Sequence, residues 1–241
     1  MHRCWLETDA PLAAGEQVSL SRAEGDHILK SLRMKAGDPV QLIAAERLYE
    51  GVIASAGDGE VRVETVRELP SPEPGVRITL MQGLPKADKL EWIVQKATEL
   101  GAYRIVPVEM ERSVARITEK DEKKNGRLQR IALEAAKQAG RAHVPQVAPA
   151  LRFTDALKEL RGAVYVAWEE AEALRLSQAV AGDAPREITL VIGPEGGITA
   201  EEIARLEATG AKAVTLGRRI LRTETAGLCA IAVALAALRE I

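Results

Sequence analysis

The feature that most constrains the fold is an alternation, from Val76 onward, of short apolar runs with segments of helical spacing. The apolar runs are rich in β-branched residues, as strands are, and between the first two Leu90, Ile93 and Ala97 recur at helical spacing. This alternation is typical of an α/β domain with a mainly parallel sheet. The predicted strands are residues 77–81, 105–108, 163–167, 188–192 and 213–216, and the main predicted helices are residues 86–100, 125–140 and 226–238.

The first seventy residues have a different pattern, in which short β-favouring stretches are separated by turn residues. One helical segment, residues 25–34, interrupts them, and the spacing predicts a small β-barrel over residues 1–70. Pro70, Pro72 and Pro74 follow and cannot continue a strand or a helix, which predicts a linker and then a second domain over residues 74–241. The predicted strands of the first domain are residues 17–20, 39–43, 49–53 and 60–66.

Composition and length exclude several classes of protein. The chain has 241 residues, which suits one small and one medium domain, and 46% of them are apolar. The apolar runs all fall well short of the ~20 residues that span a bilayer, so a membrane protein is not expected. Residues 1–7 lack the apolar core of a signal peptide, and only two cysteines are present. These observations predict a cytoplasmic protein without disulfide bonds.

The residues that most often hold metals are sparse. Cys4 and Cys229 lie far apart in the sequence, and His2, His27 and His143 show no spacing of a known metal motif. The sequence therefore predicts no metal site.

The distribution of charge bears on nucleic-acid binding. A formal net charge of -2 argues against such a partner, yet residues 112–141 hold nine Lys or Arg against four acids. Two interpretations remain open at this point. The segment is either a solvated helix face with pairs such as Glu119 and Lys123, or a surface that holds phosphates.

The most informative segment is Leu190 to Thr199, where a predicted strand ends in Gly193-Pro194-Glu195-Gly196-Gly197. A helix is predicted to begin at Thr199, because Thr199 and Glu202 have the spacing of a capping box. Glycines after a strand let a ligand approach the backbone, and this is the edge where open α/β sheets bind ligands. The segment matches neither the Walker A nor the GxGxxG pattern, so a phosphate-cradling nucleotide site is disfavoured. A tight turn that needs glycine for geometry alone is the alternative.

Two further segments have the same design. Leu216 to Gly227 contains a strand end, a glycine, three arginines and a helix start, and Leu80 to Lys86 again runs from a strand through a glycine towards a helix. Within the first of these, Arg222 and Glu224 could pair with each other, cap the helix or act on a substrate. The alternative to a functional role is an ordinary surface loop with salt bridges.

These segments together resemble the SPOUT methyltransferases. The resemblance rests on the Gly193–Gly197 motif followed, about twenty residues later, by Leu216-Gly217-x-x-Ile220-Leu221-Arg222-x-Glu224-Thr225-Ala226. Matches over residues 86–101 and 134–145 narrow it to the RsmE family. The segment His27 to Asp38 is similar to that family's PUA-like barrel, although Cys4-Trp5 stands where an Arg-x-Phe start is common and Ser31 replaces a usual valine.

The resemblance implies a trefoil-knotted SPOUT α/β domain, an N-terminal PUA-like β-barrel that binds RNA, and a homodimer. It further implies methylation of N3 of a uridine in 16S ribosomal RNA of the small subunit, with S-adenosylmethionine as cofactor. The helix 226–238 is apolar on nearly all sides and is expected in the knot core and dimer interface, with ordinary monomer core as the alternative. The three loops expected to bind the cofactor contain Leu80, Met81, Gln82 and Gly83; Ile192, Gly193, Pro194, Glu195 and Gly196; and Leu216, Gly217, Ile220 and Leu221.

The position of Arg222 beside a cofactor loop suggests a catalytic role. Uridine N3 must lose its proton before or during attack, and a guanidinium could stabilise the negative charge that spreads onto O2 and O4 of the base. Glu224 is expected to orient Arg222 or to act as base. Phosphates of 16S ribosomal RNA, free or in the small subunit, are expected to contact Arg33, Arg112, Arg116 and Arg141. A SPOUT enzyme for another RNA or base, and a non-catalytic RNA-binding protein, remain the alternatives.

Overall fold

The computed structural model describes residues 1–57, 60–118, 121–171 and 173–241, without the side chains of residues 121–123. The chain divides into two compact units. The first comprises Met1–Glu73 and Gly140–His143, and the second comprises Pro74–Ala139 and Val144–Ile241. The short segment Gly140–His143 therefore packs with residues that precede it by at least 67 positions in the chain, which linear spacing could not predict.

The first unit is built on a five-stranded sheet in the order β1-β3-β4-β5-β2. β1 pairs with β3 in parallel, and the other neighbours are antiparallel. Each of the four strands predicted from sequence is present; the three-residue β1 was missed because it is too short to show a period. The strands are β1 (Arg3–Trp5), β2 (Gln17–Ser19), β3 (Pro39–Ala44), β4 (Arg47–Gly57) and β5 (Glu60–Leu69).

The helical segment of this unit is not the single helix that was predicted. It consists of α1 (Arg22–Asp26) followed directly by a π-helix, His27–Leu32. The Ser21 hydroxyl accepts a hydrogen bond from the backbone N–H of Glu24 and so caps α1. Arg33 ends the π-helix in the left-handed conformation, with φ of 54°. The predicted interruption is correct in place, but apolar spacing does not reveal a π-helix.

The segment Gly140–His143 is held in the first unit by one carboxylate. Glu73 accepts hydrogen bonds from the backbone N–H groups of Ala142 (2.7 Å) and His143 (3.1 Å), and from the guanidinium of Arg141 (2.5 and 3.0 Å). Ala142 packs against Ile43 in a small apolar cluster. Only 6% of Arg141 is exposed, so its charge is neutralised internally.

The second unit has a parallel sheet in the order β12-β10-β11-β6-β7-β8, with β9 paired to β7. The α/β class predicted from alternation is confirmed. Its elements are β6 (Arg77–Gly83), α2 (Lys89–Glu99), β7 (Arg104–Glu109), α3 (Asp121–Ala139), β8 (Gln146–Val147), β9 (Leu151–Arg152), α4 (Phe153–Ala156), a 3-10 turn (Leu157–Glu159), β10 (Ala163–Ala167), α5 (Leu176–Asp183), β11 (Glu187–Ile192), α6 (Ala200–Glu207), β12 (Lys212–Val214) and α7 (Thr223–Ala237).

Both faces of this sheet are buried. Leu80 and Leu190 point into a core shared with α2 and α7, whereas their neighbours Met81 and Val191 point into a core shared with α4 and α6. Burial of both faces explains why these strands are continuous apolar runs in the sequence. Each buried side chain of this size contributes about 1.5–3 kcal/mol.

Several boundaries differ from the prediction, and two helix starts differ for a clear physical reason. α7 begins at Thr223 rather than Ala226, because the first turn, Thr223–Thr225, is polar and carries no apolar period. α2 begins at Lys89 rather than Lys86, since Ala87 has φ of 54° and cannot lie in a helix. Among the helices that the structure describes, none is long and apolar enough to cross a membrane.

Candidate functional site

A cleft of about 900 Å³ opens at the carboxyl ends of three neighbouring strands, β10, β11 and β12. The strands are parallel, so the loops that leave them meet at one edge of the sheet, which is where α/β sheets bind ligands. The cleft is lined by Lys89, Ala167, Trp168, Glu169, Ala171, Arg175, Ile192, Gly193, Pro194, Glu195, Gly196, Gly197, Ile198, Thr215, Leu216, Gly217, Arg218, Arg219, Ile220, Leu221, Arg222, Thr223 and Ala226.

Most of the residues predicted to bind a cofactor lie in this cleft. Two of the three predicted loops contribute all their members, and Arg222 lines the cleft beside them. These members are Ile192, Gly193, Pro194, Glu195, Gly196, Leu216, Gly217, Ile220 and Leu221.

The third predicted loop supports the cleft without lining it. Leu80, Met81 and Gln82 are fully buried at the end of β6. The Gln82 amide donates to the hydroxyl of Thr223 (2.8 Å), which donates in turn to the carbonyl oxygen of Gly193 (2.6 Å). A Cβ atom on Gly83 would lie 2.5 Å from the backbone nitrogen of Pro194, so glycine is required for this close approach.

The loop after β11 is fixed at its far end by the predicted capping box. The Thr199 hydroxyl accepts from the backbone N–H of Glu202 (3.2 Å), and the Glu202 carboxylate accepts from the backbone N–H of Thr199 (3.1 Å). Gly197 has φ of 76°, which favours glycine. The sharp turn and the rigid helix start together hold the loop at the rim of the cleft.

The loop after β12 turns at Gly217. Its φ of 122° favours glycine even though a Cβ atom there would meet nothing within 4 Å. The side chains of Arg218, Arg219 and Arg222 are exposed around it, and Ile220 is 80% exposed. This loop therefore presents three positive charges and one apolar side chain to whatever enters the cleft.

Lys89 joins two sides of the site. Its Nζ lies 3.0 Å from Oε1 of Glu195, in the loop after β11, and 3.1 Å from Oε2 of Glu224, in the first turn of α7. Hydrogen bonds to Glu195 and then Glu224 raise the pKa of Lys89, so the lysine is charged at neutral pH. The Glu195 carboxylate also accepts from the backbone N–H of Lys86 (3.1 Å).

Arg222 and Glu224 do not bond to each other. Burial acts to raise the pKa of Glu224, but backbone N–H groups, Lys89 and Arg222 outweigh it and bring the pKa below its usual value. A carboxylate with a lowered pKa is a weaker base than an ordinary one. The Glu224 carboxylate is thus a bound counter-ion of Lys89, and the orienting contact to Arg222 that the sequence suggested is not made.

Comparison with known proteins identifies the family. A model of the RNA methyltransferase domain family matches residues 71–235. Ribosomal RNA small subunit methyltransferase E of Bacillus subtilis is 34% identical over 96% of this chain and 94% of its own length. The chain belongs to the ribosomal RNA small subunit methyltransferase E family.

Other members extend this result. The Mycobacterium tuberculosis protein of the same name is 33% identical, covering 86% of this chain and 82% of its own. The crystal structure of the Neisseria gonorrhoeae member, bound to S-adenosyl methionine, superposes with a TM-score of 0.80 at 30% identity and covers 98% of this chain and 97% of its own. The resemblance to a methyltransferase fold with an N-terminal β-rich unit is confirmed.

Several residues that line the cleft were not predicted from the sequence. Trp168 and Glu169 directly follow β10, whose carboxyl end lies beside those of β11 and β12. The rule that selected the other two loops could therefore have selected this one, had the strand order been known. Arg175 gave no sequence signal, and Lys89 was given no role although it lies in the matched segment 86–101. Each reaches the cleft from the start of a helix.

The predicted RNA contacts fall into two groups. Arg33, Arg112 and Arg116 are exposed, although Arg112 donates to the carbonyl oxygen of Gly196 (3.2 Å) and Arg116 pairs with Glu109 (3.2 Å). Arg141 is buried against Glu73, so a phosphate could not reach it without breaking that ion pair. Within the basic segment, Glu119 and Lys120 and the side chain of Lys123 lie outside the described residues.

One cluster of metal-type ligands occurs in the described part of the chain. His2, Cys4 and Glu24 bring their ligand atoms within 4.8 Å of one another, and the His27 ring lies 5.2 Å from that of His2. The two histidines are thus neighbours despite their separation in the sequence. Burial, and secondarily Glu24, raises the pKa of the Cys4 thiol to about 12, so an incoming metal would have to displace a tightly held proton.

Proposed function

We propose that the protein transfers a methyl group from S-adenosylmethionine to N3 of a uridine in 16S ribosomal RNA of the small ribosomal subunit. The observation that carries the proposal is the convergence of two glycine-containing loops and Arg222 on one cleft, in a chain of the ribosomal RNA small subunit methyltransferase E family. The relatives are named as ribosomal RNA methyltransferases, and the Neisseria gonorrhoeae member binds S-adenosyl methionine.

The residues of the cleft fit this cofactor. Its volume of about 900 Å³ accepts a molecule of that size. Ile192, Leu216 and Leu221 line it with apolar side chains against which an adenine ring could pack, and Gly193 and Gly217 line it with backbone. When bound, S-adenosylmethionine supplies a methyl group activated by a positively charged sulfur. The protein has to bind, align and exclude water.

Arg222 has the task of stabilising the substrate. Uridine N3 must lose its proton before or during attack, which leaves negative charge on O2 and O4 of the base. Arg222 is exposed at the cleft, and its side chain forms no hydrogen bond or ion pair among the described residues. Its planar N–H groups can therefore donate hydrogen bonds to the charged oxygens. Glu224 is bound to Lys89 and has a lowered pKa, which favours release of the proton to solvent over transfer to this carboxylate.

Both units are expected to contact the RNA. We assign residues 1–70 to a PUA-like RNA-binding domain and residues 74–241 to the methyltransferase domain. Arg33 in the first, and Arg112 and Arg116 in the second, are exposed cations suited to phosphates. Arg141 is excluded from this set because Glu73 neutralises it.

A homodimer completes the proposal. α7 carries half-buried apolar residues such as Leu228, Ala232 and Val233 in addition to its buried ones, and Trp92 on α2, which packs against α7, is 45% exposed. These side chains supply apolar surface for a second copy. The proposed substrate implies a cytoplasmic enzyme. No metal is assigned a role, so protein that is treated with EDTA and then dialysed free of it is expected to keep its methylation rate.

The experiment that tests the function uses small ribosomal subunits isolated from cells that lack the modification. Wild-type protein and S-adenosylmethionine with a labelled methyl group are incubated with these subunits, and the RNA is digested to nucleosides. One N3-methyluridine per subunit is expected. Label in another nucleoside or only in other RNA would replace the substrate, and cofactor binding without transfer, or no cofactor binding by calorimetry, would contradict the enzymatic proposal.

A further inference from the structure

Three charged groups meet at the entrance of α7, and their pairing is not the one expected from sequence. Glu224 lies two residues from Arg222, yet its carboxylate is bound by Lys89 at 3.1 Å. Arg222 is exposed and forms no ion pair within the described residues. Lys89 comes from α2, more than 130 residues earlier in the chain, so the tertiary structure and not the local sequence decides which cation Glu224 binds.

Lys89 and Arg222 compete for the carboxylate of Glu224. The Glu224 side chain is only 18% exposed, and a carboxylate that is partly removed from water binds an available cation strongly. Burial acts to raise the pKa of Glu224, and backbone groups, Lys89 and Arg222 together lower it, which places Arg222 within electrostatic reach. Lys89 and Arg222 are the two cations that lower the pKa of Glu224, so Arg222 would be the one that remains if the ammonium group of Lys89 were removed.

We infer that Lys89 is a positioning residue that pairs with Glu224, so that Arg222 remains free to stabilise the negative charge on the uridine as its N3 loses a proton. This inference rests on the proposed function and deepens it. In this role Lys89 acts on the reaction only through Glu224, by denying Arg222 a competing partner. Its second contact, to Glu195, is less exclusive, because the backbone N–H of Lys86 also binds that carboxylate.

The decisive experiment is a pair of variants, Lys89→Met and Lys89→Met with Glu224→Gln. In the single variant Glu224 is expected to bind Arg222, and kcat should fall about tenfold or more, towards the ~10²–10³-fold loss typical of removing one transition-state donor. KM for S-adenosylmethionine should change less than about threefold, because Glu195 keeps its backbone partner. In the double variant, the neutral amide of glutamine cannot form an ion pair with Arg222, so kcat should recover.

Recovery separates this role from a loss of the tie between the loop after β11 and α7, which removing the second carboxylate could not restore. If recovery came only from relief of an unpaired, partly buried carboxylate, Glu224 would stay apart from Arg222 in the crystal structure of Lys89→Met described below. Lys89→Arg should keep most activity, since a guanidinium can still bind both carboxylates. Lys96→Met is the matched control, because Lys96 lies on the same helix and also pairs with a glutamate, Glu99 at 2.7 Å, but does not line the cleft.

Two results would overturn the inference: unchanged kcat in Lys89→Met, or lost kcat that Glu224→Gln does not restore. A crystal structure of the Lys89→Met protein provides a test that does not depend on activity. A Glu224 carboxylate within about 4 Å of the Arg222 guanidinium is expected there, and a carboxylate that stays apart from Arg222 contradicts the inference. If wild-type protein transfers no methyl group, the proposed function fails, and this structure still decides the pairing.

Discussion

The hydroxyl of Thr223 donates a hydrogen bond of 2.6 Å to the carbonyl oxygen of Gly193, while accepting one of 2.8 Å from the amide of Gln82. Thr223 is the first residue of α7, and Gly193 begins the loop after β11. A single buried hydroxyl thus connects three segments of the chain that lie far apart in sequence, and it fixes the backbone of the cleft.

Removal of that hydroxyl should weaken both the fold and the site. Thr223→Val keeps the shape of the side chain but leaves the Gln82 amide and the Gly193 carbonyl without their partner, at a cost of about 1–3 kcal/mol. Urea unfolding should report this loss, and calorimetry should report weaker binding of S-adenosylmethionine. Thr223→Ser retains the hydroxyl and is the control. Equal affinity and stability of the valine and serine variants would contradict the assigned role.

Gly83 should not tolerate a methyl group. A Cβ atom at this position would lie 2.5 Å from the backbone nitrogen of Pro194, and backbone cannot move aside as a side chain can. Gly83→Ala is expected to destabilise the protein by about 1–3 kcal/mol, the usual cost of overpacking. Gly126→Ala is the matched control, because its Cβ atom meets nothing within 4 Å and lies within α3, where alanine adds about 0.5–1 kcal/mol of stability. The two variants should therefore shift the urea midpoint in opposite directions.

Substitution of Arg222 should affect turnover more than folding. In Arg222→Ala, kcat is expected to fall about 10²–10³-fold, the loss typical of one transition-state donor. The thermal midpoint should stay close to that of wild type, since the described structure gives the exposed side chain no hydrogen bond or ion pair to lose. Single-turnover methylation of small subunits measures the effect, and unchanged turnover would remove Arg222 from the mechanism.

The exposed arginines should contribute to RNA affinity through phosphates. Arg116→Ala and Arg33→Ala are each expected to weaken binding regardless of RNA sequence and to reduce the slope of log K against log salt by about one. Filter binding at several salt concentrations gives the slope. Arg62→Ala is the matched control, because Arg62 is also exposed and, like Arg116, pairs with a glutamate (Glu60 at 3.0 Å), but it lies outside the predicted contacts and the basic segment. A loss confined to one RNA sequence would instead indicate contacts to bases.

The pairing of Glu224 predicts how stability depends on pH. Despite burial, which acts to raise it, the folded-state pKa of Glu224 lies below the ordinary carboxyl value of 4.5, so the ionised carboxylate stabilises the fold. This contribution to stability is complete above pH 4.5 and is lost as the pH falls through the lowered pKa of Glu224 in the folded protein. Glu224→Gln should therefore be less stable than wild type at pH 7 and should approach it below pH 4.5 in urea unfolding. A difference that persists at lower pH would show that the charge is not responsible.

Local sequence determined much of this protein. Apolar spacing predicted most strands of both units and the α/β class, because the side chains of one element repeat with that element's own period. Strand ends followed by glycine identified two loops that line the cleft, at Gly193–Gly197 and Leu216–Leu221, since ligands bind at the carboxyl edge of such sheets. The distinctive spacing of those loops also indicated the family that the comparisons confirmed.

Only the tertiary structure decided which side chains meet. The order of the strands places Trp168 beside the loops after β11 and β12. The packing of α2 beside α7 makes Lys89, rather than Arg222, the ion-pair partner of Glu224. Arg141, which the sequence presents as one more cation of a basic segment, is buried on Glu73. These pairings join residues tens to more than a hundred positions apart, and their energies depend on burial and distance in space, which the local period of a sequence does not encode.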